Sequence, residues 1–238
     1  FNGTGCSITS STAIVQVKQK PIASIANFAP KPFTNCGGGA TFNLVVDNTS
    51  STTNSNYNIS WGDNTTNYNS PIAPNALGHQ YNALGYFTLT LTVTGQNGCV
   101  STKTYSVFNG SNPAVSFGNP GSTVELCTPY TLSFPISGTT NNPPGTIYII
   151  TKNDGTPNDT LSHPPPTNYI HNFTNTSCGA TGGIDPNTFF VRIKAQNPCG
   201  SSTATIEPIT TNQIPVANFT ISPDTIVCIN TTVTFSNK

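Results

Sequence analysis

Residues 78–99 read GHQYNALGYFTLTLTVTGQNGC, and the middle of this stretch decides the fold class. Phe87, Leu89, Leu91 and Val93 alternate with Thr88, Thr90, Thr92 and Thr94. A period of two puts the apolar set on one face of an extended chain and the β-branched threonines on the other, the pattern of a half-buried strand. No i, i+3, i+4 apolar stripe can be drawn through it, so a helix is excluded. Cys99 falls in the turn that follows.

Composition extends this reading to the whole chain. Only 7% of the 238 residues are charged, eight basic and eight acidic, for a formal net charge of zero. Without a basic patch or polybasic run, neither nucleic acid nor an anionic membrane surface is an expected partner. Asn, Thr and Ser must coat the surface. Twenty Gly and twenty Pro predict frequent turns, and no apolar run of helical period reaches ten residues. The expected class is all-β. Apolar runs are too short for a membrane-crossing helix or a signal peptide, so direct membrane insertion is not expected.

Internal repeats give the domain plan. GQNGCVSTKTYSVFNGSNPAVSF around Cys99 has relatives in AQNPCGSSTATIEPITTNQIPVANF around Cys199 and GTGCSITSSTAIVQVKQKPIASI around Cys6. Cys6, Cys99 and Cys199 step by 93 and 100 positions, Pro21, Pro113 and Pro215 by 92 and 102, and Cys36, Cys127 and Cys228 by 91 and 101. His79 and Tyr81 match His171 and Phe173, and Asp63 matches Asp154. Leu89, Leu91 and Val93 align with Phe189, Val191 and Ile193, all on the inward face; Thr92 and Thr94 align with Arg192 and Lys194, all outward. The expected organisation is the tail of one repeat (1–20), two full repeats (21–112 and 113–213) and the head of another (214–238). The chain then reads as a mature-region piece of something longer. Repeats of this size made of short strands fit Ig-like β-sandwiches strung in tandem through short, proline-bearing linkers.

Each full repeat carries one cysteine near its second strand and one after its penultimate strand. The expected disulfides are Cys36–Cys99 and Cys127–Cys199, closing loops that span 63 and 72 positions. Loops of this size would be worth about 4 kcal/mol each in the chain-entropy account. Cys6 and Cys228 would then pair with cysteines outside this piece. Cys178 has no repeat counterpart; it is either a free thiol or a competitor for Cys127 or Cys199, since spacing does not encode connectivity. A metal site needs clustered ligands, and no C-x-x-C or H-x-x-x-H occurs. Disulfides imply an oxidising, extracellular setting.

ISWGDNT, HQYNALGYFTLTLTVT and NGC together resemble PKD (polycystic kidney disease) domains. Gly62, Asp63 and Thr65 match the family's first turn, His79 and Tyr81 its second, and Gly85 through Val93 its long strand. The second repeat keeps Asp154, Gly155, Thr156 and His171 but has Lys152 and Asn153 in place of the aromatic residue and glycine. Tandem, Asn/Thr-rich, cysteine-bearing PKD-like repeats resemble the giant surface proteins of Bacteroidota, SprB-type gliding-motility adhesins exported by the type IX secretion system. The resemblance implies an Ig-like β-sandwich and a stalk or adhesive filament at the cell surface. Its partners would be neighbouring repeats and surface polysaccharide or a neighbouring filament. Thr160 in Asp159-Thr160-Leu161 and Thr225 in Asp224-Thr225-Ile226 resemble that phylum's O-glycosylation acceptors, which would make the chain a glycoprotein.

Chemistry has few candidates. Of the histidines His79, His163 and His171, two are repeat-equivalent and read as turn-anchoring hydrogen bonders. No G-x-S-x-G, H-E-x-x-H or phosphate-cradling loop is present, and Glu125 and Glu207 are the only glutamates. No catalysis and no cofactor are expected. Asp63 and Asp154 sit in turns where calcium could be sought, although calcium takes six to eight oxygens and each repeat offers few carboxylates; the competing reading has them satisfying turn amides. Trp61, the only tryptophan, would stack on a sugar if exposed and join the core if buried. The functional expectation is a non-catalytic shaft of a secreted cell-surface adhesin. The alternative is an accessory glycan-binding module of a secreted polysaccharide-degrading enzyme.

Overall fold

A computed structural model of the chain describes residues 14–51, 53–223 and 226–237, so Cys6 and Thr225 lie outside the described residues. These form strands and no helix, and hence no helix long and apolar enough to cross a membrane. The chain divides into two compact units, residues 1–111 and 112–238. Both are all-β sandwiches of Ig-like type.

The first unit runs β1 (Ile25–Ala26), β2 (Thr34–Asn35), β3 (Phe42–Asn48), β4 (Asn54–Ser60), β5 (Tyr68–Ser70), β6 (Leu77–Tyr81), β7 (Gly85–Gly95) and β8 (Val100–Asn109). One sheet has the order β1–β3–β6, and the other β2–β8–β7–β4–β5. Every pairing is antiparallel except that of β2, which runs parallel to the end of β8, with Thr34 opposite Phe108 and Asn35 opposite Asn109. The alternating stretch is β7, central in its sheet between β4 and β8. Leu89, Leu91 and Val93 are fully buried, and the threonines between them face outward. Leu44 and Val46 of β3, Ile25 of β1 and Tyr81 of β6 meet them from the opposite sheet. Each such side chain contributes about 1.5–3 kcal/mol by leaving water.

The second unit runs β9 (Ser116–Phe117), β10 (Leu126–Thr128), β11 (Tyr130–Ser137), β12 (Ile147–Lys152), β13 (Asp159–Ser162), β14 (Asn168–Phe173), β15 (Phe189–Asn197), β16 (Gly200–Ile209) and β17 (Thr211–Gln213). Its sheets are β14–β11–β9 and β13–β12–β15–β16, and β10 pairs parallel with β17, just beyond the end of β16. Strand for strand this is the order of the first unit. Val191 and Ile193 are buried while Arg192 points to solvent, so the inward face is kept and the outward face varies. A further antiparallel pair, β18 (Phe219–Ser222) and β19 (Thr234–Asn237), repeats the pairing of β9 with β11. Phe219 and Phe235 lie 5.6 Å apart on it and are largely exposed.

This topology overturns the expected disulfides. Cys99 and Cys127 are free thiols, as are Cys178 and Cys228, whereas Cys36 and Cys199 are disulfide-bonded. Neither Cys36–Cys99 nor Cys127–Cys199 is formed. Cys36 follows β2, whose partner is the last residue of β8, and Cys99 precedes the first residue of β8. Nine residues of strand between Val100 and Asn109 span about 30 Å at 3.3 Å per residue. A disulfide tolerates no more than about 7 Å between Cα atoms. In the second unit Cys127 lies opposite Asn212 of β17, and Cys199 sits in the β15–β16 turn, again the length of a long strand away.

Candidate functional site: the aspartate–histidine clamp

The motif residues of each unit converge where the β4–β5 turn, or its counterpart after β12, meets the adjoining edge strand. In the first unit Asp63 Oδ1 accepts the Thr65 amide (3.2 Å) and hydroxyl (2.6 Å), which fixes the turn. Its Oδ2 lies 2.8 Å from His79 Nε2 on β6. Trp61 stacks on His79 with ring centroids 4.2 Å apart and planes within 4°. Tyr81 meets the same imidazole edge-on at 4.7 Å and donates its hydroxyl to the Trp61 carbonyl at 3.0 Å. One carboxylate thus ties the turn to β6, and two aromatic rings, Trp61 and Tyr81, pack on the histidine it holds. Burial pulls the Asp63 carboxyl upward, but the hydrogen bonds from Thr65 and His79 outweigh it and hold the group below its ordinary range. Burial also raises the Tyr81 phenol well above its ordinary value.

Backbone geometry explains the glycine. Gly62 has φ +82°, and a Cβ there would sit 2.4 Å from the Thr88 carbonyl oxygen of β7. Asn64, after the aspartate, is also left-handed (φ 64°), and its counterpart Gly155 has φ 88°.

The second unit builds the same clamp with a different cover. Asp154 Oδ1 accepts the Thr156 amide (3.0 Å) and hydroxyl (2.5 Å), and Oδ2 lies 2.5 Å from His171 Nε2. Phe173 takes the edge-on place of Tyr81, at 4.7 Å. Lys152 stands where Trp61 does, and its ammonium is buried, with a side chain only 2% exposed. It donates to Asp159 Oδ2 on β13 at 2.6 Å and to the Tyr169 hydroxyl on β14 at 2.9 Å; Tyr169 in turn donates to Asp159 Oδ2 at 2.5 Å. Burial disfavours the Lys152 ammonium, yet Asp159 and Tyr169 more than offset this and raise its pKa. Asp159 is held below its ordinary range by Lys152, then Tyr169. Asn153, at the Gly62 position, reaches across to β15 instead, accepting the Phe190 amide at 2.8 Å and donating to the Thr188 carbonyl at 3.1 Å.

The clamp therefore brings Asp63 together with His79 and Asp154 with His171, and its bonds are all internal. Both carboxylate oxygens of each aspartate are engaged, and among the described residues no group of three His, Cys, Asp or Glu side chains is placed to hold a metal ion. Trp61 is 4% exposed and covered by His79, so it has no free face for a sugar; the core reading is the one the structure holds. Thr160 is exposed on β13, beside the engaged Asp159. His163 lies 3.0 Å from the Tyr148 hydroxyl through its Nδ1.

Two further residues had no signal in the repeat arithmetic. Asn109, wholly buried at the end of β8, donates to the carbonyls of Ala40 (2.7 Å) and Ala83 (2.9 Å) and accepts from Asn35 (2.8 Å). Its counterpart Thr211, equally buried, donates its hydroxyl to the Asn175 carbonyl (2.8 Å) and its amide to the Ser177 hydroxyl oxygen (3.2 Å), and its carbonyl accepts the Ser177 amide (3.0 Å). Only the assembled sandwich makes an amide and a hydroxyl equivalent.

No protein-family model matches the chain, and no curated protein matches it. Among solved structures it is similar to fibronectin(III)-like modules of Clostridium thermocellum CbhA, at 14% identity over 79% of this chain and 95% of that one, with a TM-score of 0.34. It is similar also to carbohydrate-binding modules of the β-sandwich superfamily, at 16% identity over 80% of this chain and 96% of that one, with a TM-score of 0.35. A third similar chain is a Ca2+-stabilised, ice-binding adhesin of an Antarctic bacterium, at 10% identity over 86% of this chain and 52% of that one, with a TM-score of 0.29.

Proposed function

We infer that the chain is a run of non-catalytic sandwich repeats serving as the shaft of a secreted cell-surface adhesin. One observation carries this reading: two successive units repeat the same strand order and the same Asp–His clamp, although the cover of the clamp has changed from tryptophan to a lysine triad. What is kept between the units is the scaffold. What varies is its surface and local packing, as expected where the fold itself is the product. The repeat frame divides the chain into 1–20, 21–112, 113–213 and 214–238, and the β18–β19 pair fits the head of a further repeat. The disulfide-bonded cysteines favour an oxidising, extracellular location.

On this reading the repeats resist pulling through their cores and clamps, and a neutral Asn/Thr coat limits nonspecific adhesion. Partners are neighbouring repeats, with surface polysaccharide or a neighbouring filament met elsewhere along the parent protein. The resemblance to SprB-type gliding adhesins favours a Bacteroidota cell surface and type IX export, with Thr160 and Thr225 as O-glycan acceptors. An accessory glycan-binding role has lost its one candidate side chain, because Trp61 is buried. The deciding experiment is immunogold labelling of intact source cells with an antibody to residues 21–213. Label along thin projections is the expected result. Label confined to a soluble, polysaccharide-degrading protein in the medium would overturn the shaft reading.

A further inference from the structure

The two cysteines of each unit mark opposite poles of its sandwich. The chain arrives at the first unit beside the β7–β8 turn: Lys18 Nζ donates to the Asn97 carbonyl at 3.0 Å, and Asn97 Nδ2 donates to the Gln19 carbonyl at 2.8 Å. Cys99 belongs to this near pole. The chain leaves at the end of β8, where the Gly110 amide donates to the Asn35 carbonyl, next to Cys36. In the second unit the arriving segment again lies beside the turn between the last two long strands, since a Cβ on Gly200 would come within 3.0 Å of Asn112 Oδ1. Cys199 sits in that turn. The chain leaves along β17, and Cys127 lies opposite Asn212. Near-pole cysteines are thus Cys99 and Cys199, and far-pole cysteines are Cys36 and Cys127.

One cysteine of each kind, Cys36 and Cys199, is disulfide-bonded, and each is bonded to something other than its own pole mate, because Cys99 and Cys127 are free. Both kinds of position therefore support a disulfide, and neither is bonded to the cysteine at the opposite pole of its own sandwich. Cys127 is exposed and Cys99 partly so, which leaves both thiols open to a partner.

We propose that the pole cysteines link repeats to one another: Cys127 bonds the near-pole cysteine of a following repeat, and Cys99 the far-pole cysteine of a preceding one. This goes beyond the shaft reading, although it uses the same repeat frame. The chemistry is oxidation by a thiol–disulfide oxidoreductase. The Cys127 thiolate attacks the oxidant's disulfide and forms a mixed disulfide. The thiolate of the neighbouring repeat then attacks Cys127 Sγ and releases the oxidant as its dithiol. Two electrons pass to the oxidant, and the two protons lost by the protein thiols are balanced by those its dithiol carries. Cys178, near Ser177 at the far pole of the second unit and without a repeat counterpart, takes no part.

The test is disulfide mapping of the full-length protein recovered from cells. Free thiols are trapped with N-ethylmaleimide, the protein is digested without reduction, and cross-linked peptides are identified by mass spectrometry. The expected result is a Cys127 peptide joined to a near-pole peptide of another repeat, and a Cys99 peptide joined to a far-pole one. Cys127→Ser should expose one additional trapped thiol, on a near-pole cysteine, whereas Cys178→Ser should expose none. Cross-links Cys36–Cys99, Cys127–Cys199 or Cys127–Cys178, or a trapped thiol on both Cys99 and Cys127 in the wild type, would overturn the proposal. These outcomes are independent of where the immunogold label falls, so the two readings can fail separately.

Discussion

The indole of Trp61 lies 4.2 Å from the imidazole of His79 and within 4° of parallel to it, while Tyr81 meets the same ring at 86°. This stack keeps water from the Asp63–His79 bond and fills the end of the core. Trp61→Ala removes both functions and should cost about 3–5 kcal/mol, the range for truncating a large buried aromatic residue. Chemical denaturation of the full chain would show it as an earlier first transition, with the second unit unmoved. A loss under about 1 kcal/mol would mean that the indole is not part of the core.

The second unit answers the same geometric need with charge, and this predicts an order of effects. Lys152 is buried, while the side chain of Asp159 is 47% exposed. Lys152→Met removes the buried ammonium and leaves Asp159 free to hydrate, so it should cost little, about 1 kcal/mol or less. Asp159→Ala strands the ammonium with Tyr169 alone and should cost more, in the range of about 1–3 kcal/mol once the exposure of the carboxylate is allowed for. Unfolding curves of the two variants settle the order; Lys152→Met as the more damaging change would contradict it.

The strand class and the repeat were legible in the sequence because both depend on local pattern: the threonine alternation of β7 and the recurrence of Asp, His and Cys. The clamp was half legible. His79 and His171 read as turn anchors, but their partners Asp63 and Asp154 sit 16 and 17 positions away, and only sheet assembly joins them. The exchange of Trp61 for Lys152 looked like a departure because its compensation comes from Asp159 and Tyr169 on two other strands. Cysteine pairing was misread for a related reason. Loop span along the chain says nothing about poles, and the parallel pairing of β2 with the far end of β8, which places Cys36, leaves no periodic mark.

Acid should loosen both clamps. The Asp63 and Asp154 carboxyls are held below their ordinary range in the folded state, against the pull of burial, by bonds from Thr65 and His79 and from Thr156 and His171. Their folded pKa values are depressed, so the stability they contribute is complete above the unfolded carboxylate value, about 3.9, and is lost as pH falls through the folded values. The melting temperature should hold from neutrality to about pH 5 and drop below about pH 4. An Asp63→Asn, Asp154→Asn double variant should start lower and lose less on acidification. Parallel wild-type and variant profiles between pH 6 and 3 would remove the clamps from the account.

Two glycines with similar dihedrals should tolerate alanine differently. Gly62 has φ +82° and meets the Thr88 backbone within 2.4 Å of a built Cβ, whereas Gly155 has φ +88° and open space around it. Gly155→Ala carries only the left-handed penalty, about 1–2 kcal/mol. Gly62→Ala adds a backbone clash that β7 cannot relieve without breaking its pairing, and should cost several times more or prevent the first unit from folding. Near-equal losses in the two variants, measured by urea unfolding, would show that β7 yields at Thr88.

Reduction tests most directly whether the expected pairing closes either sandwich. Had Cys36–Cys99 and Cys127–Cys199 closed their loops, losing about 4 kcal/mol per unit would lower each melting temperature by roughly 16–32 °C. In the structure no disulfide joins the two poles of either sandwich, because Cys99 and Cys127 are free and each lies a full strand length from its pole mate. The cores rest on Leu89, Leu91 and Val93 and on Val191, Ile193 and Ile209, none of which depends on sulfur chemistry. Full-length protein melted with and without dithiothreitol should show core transitions that move by no more than about 5 °C. A drop of 15 °C or more on reduction would mean that a disulfide does close a loop within the sandwich, and the pole assignment of the cysteines would have to be abandoned.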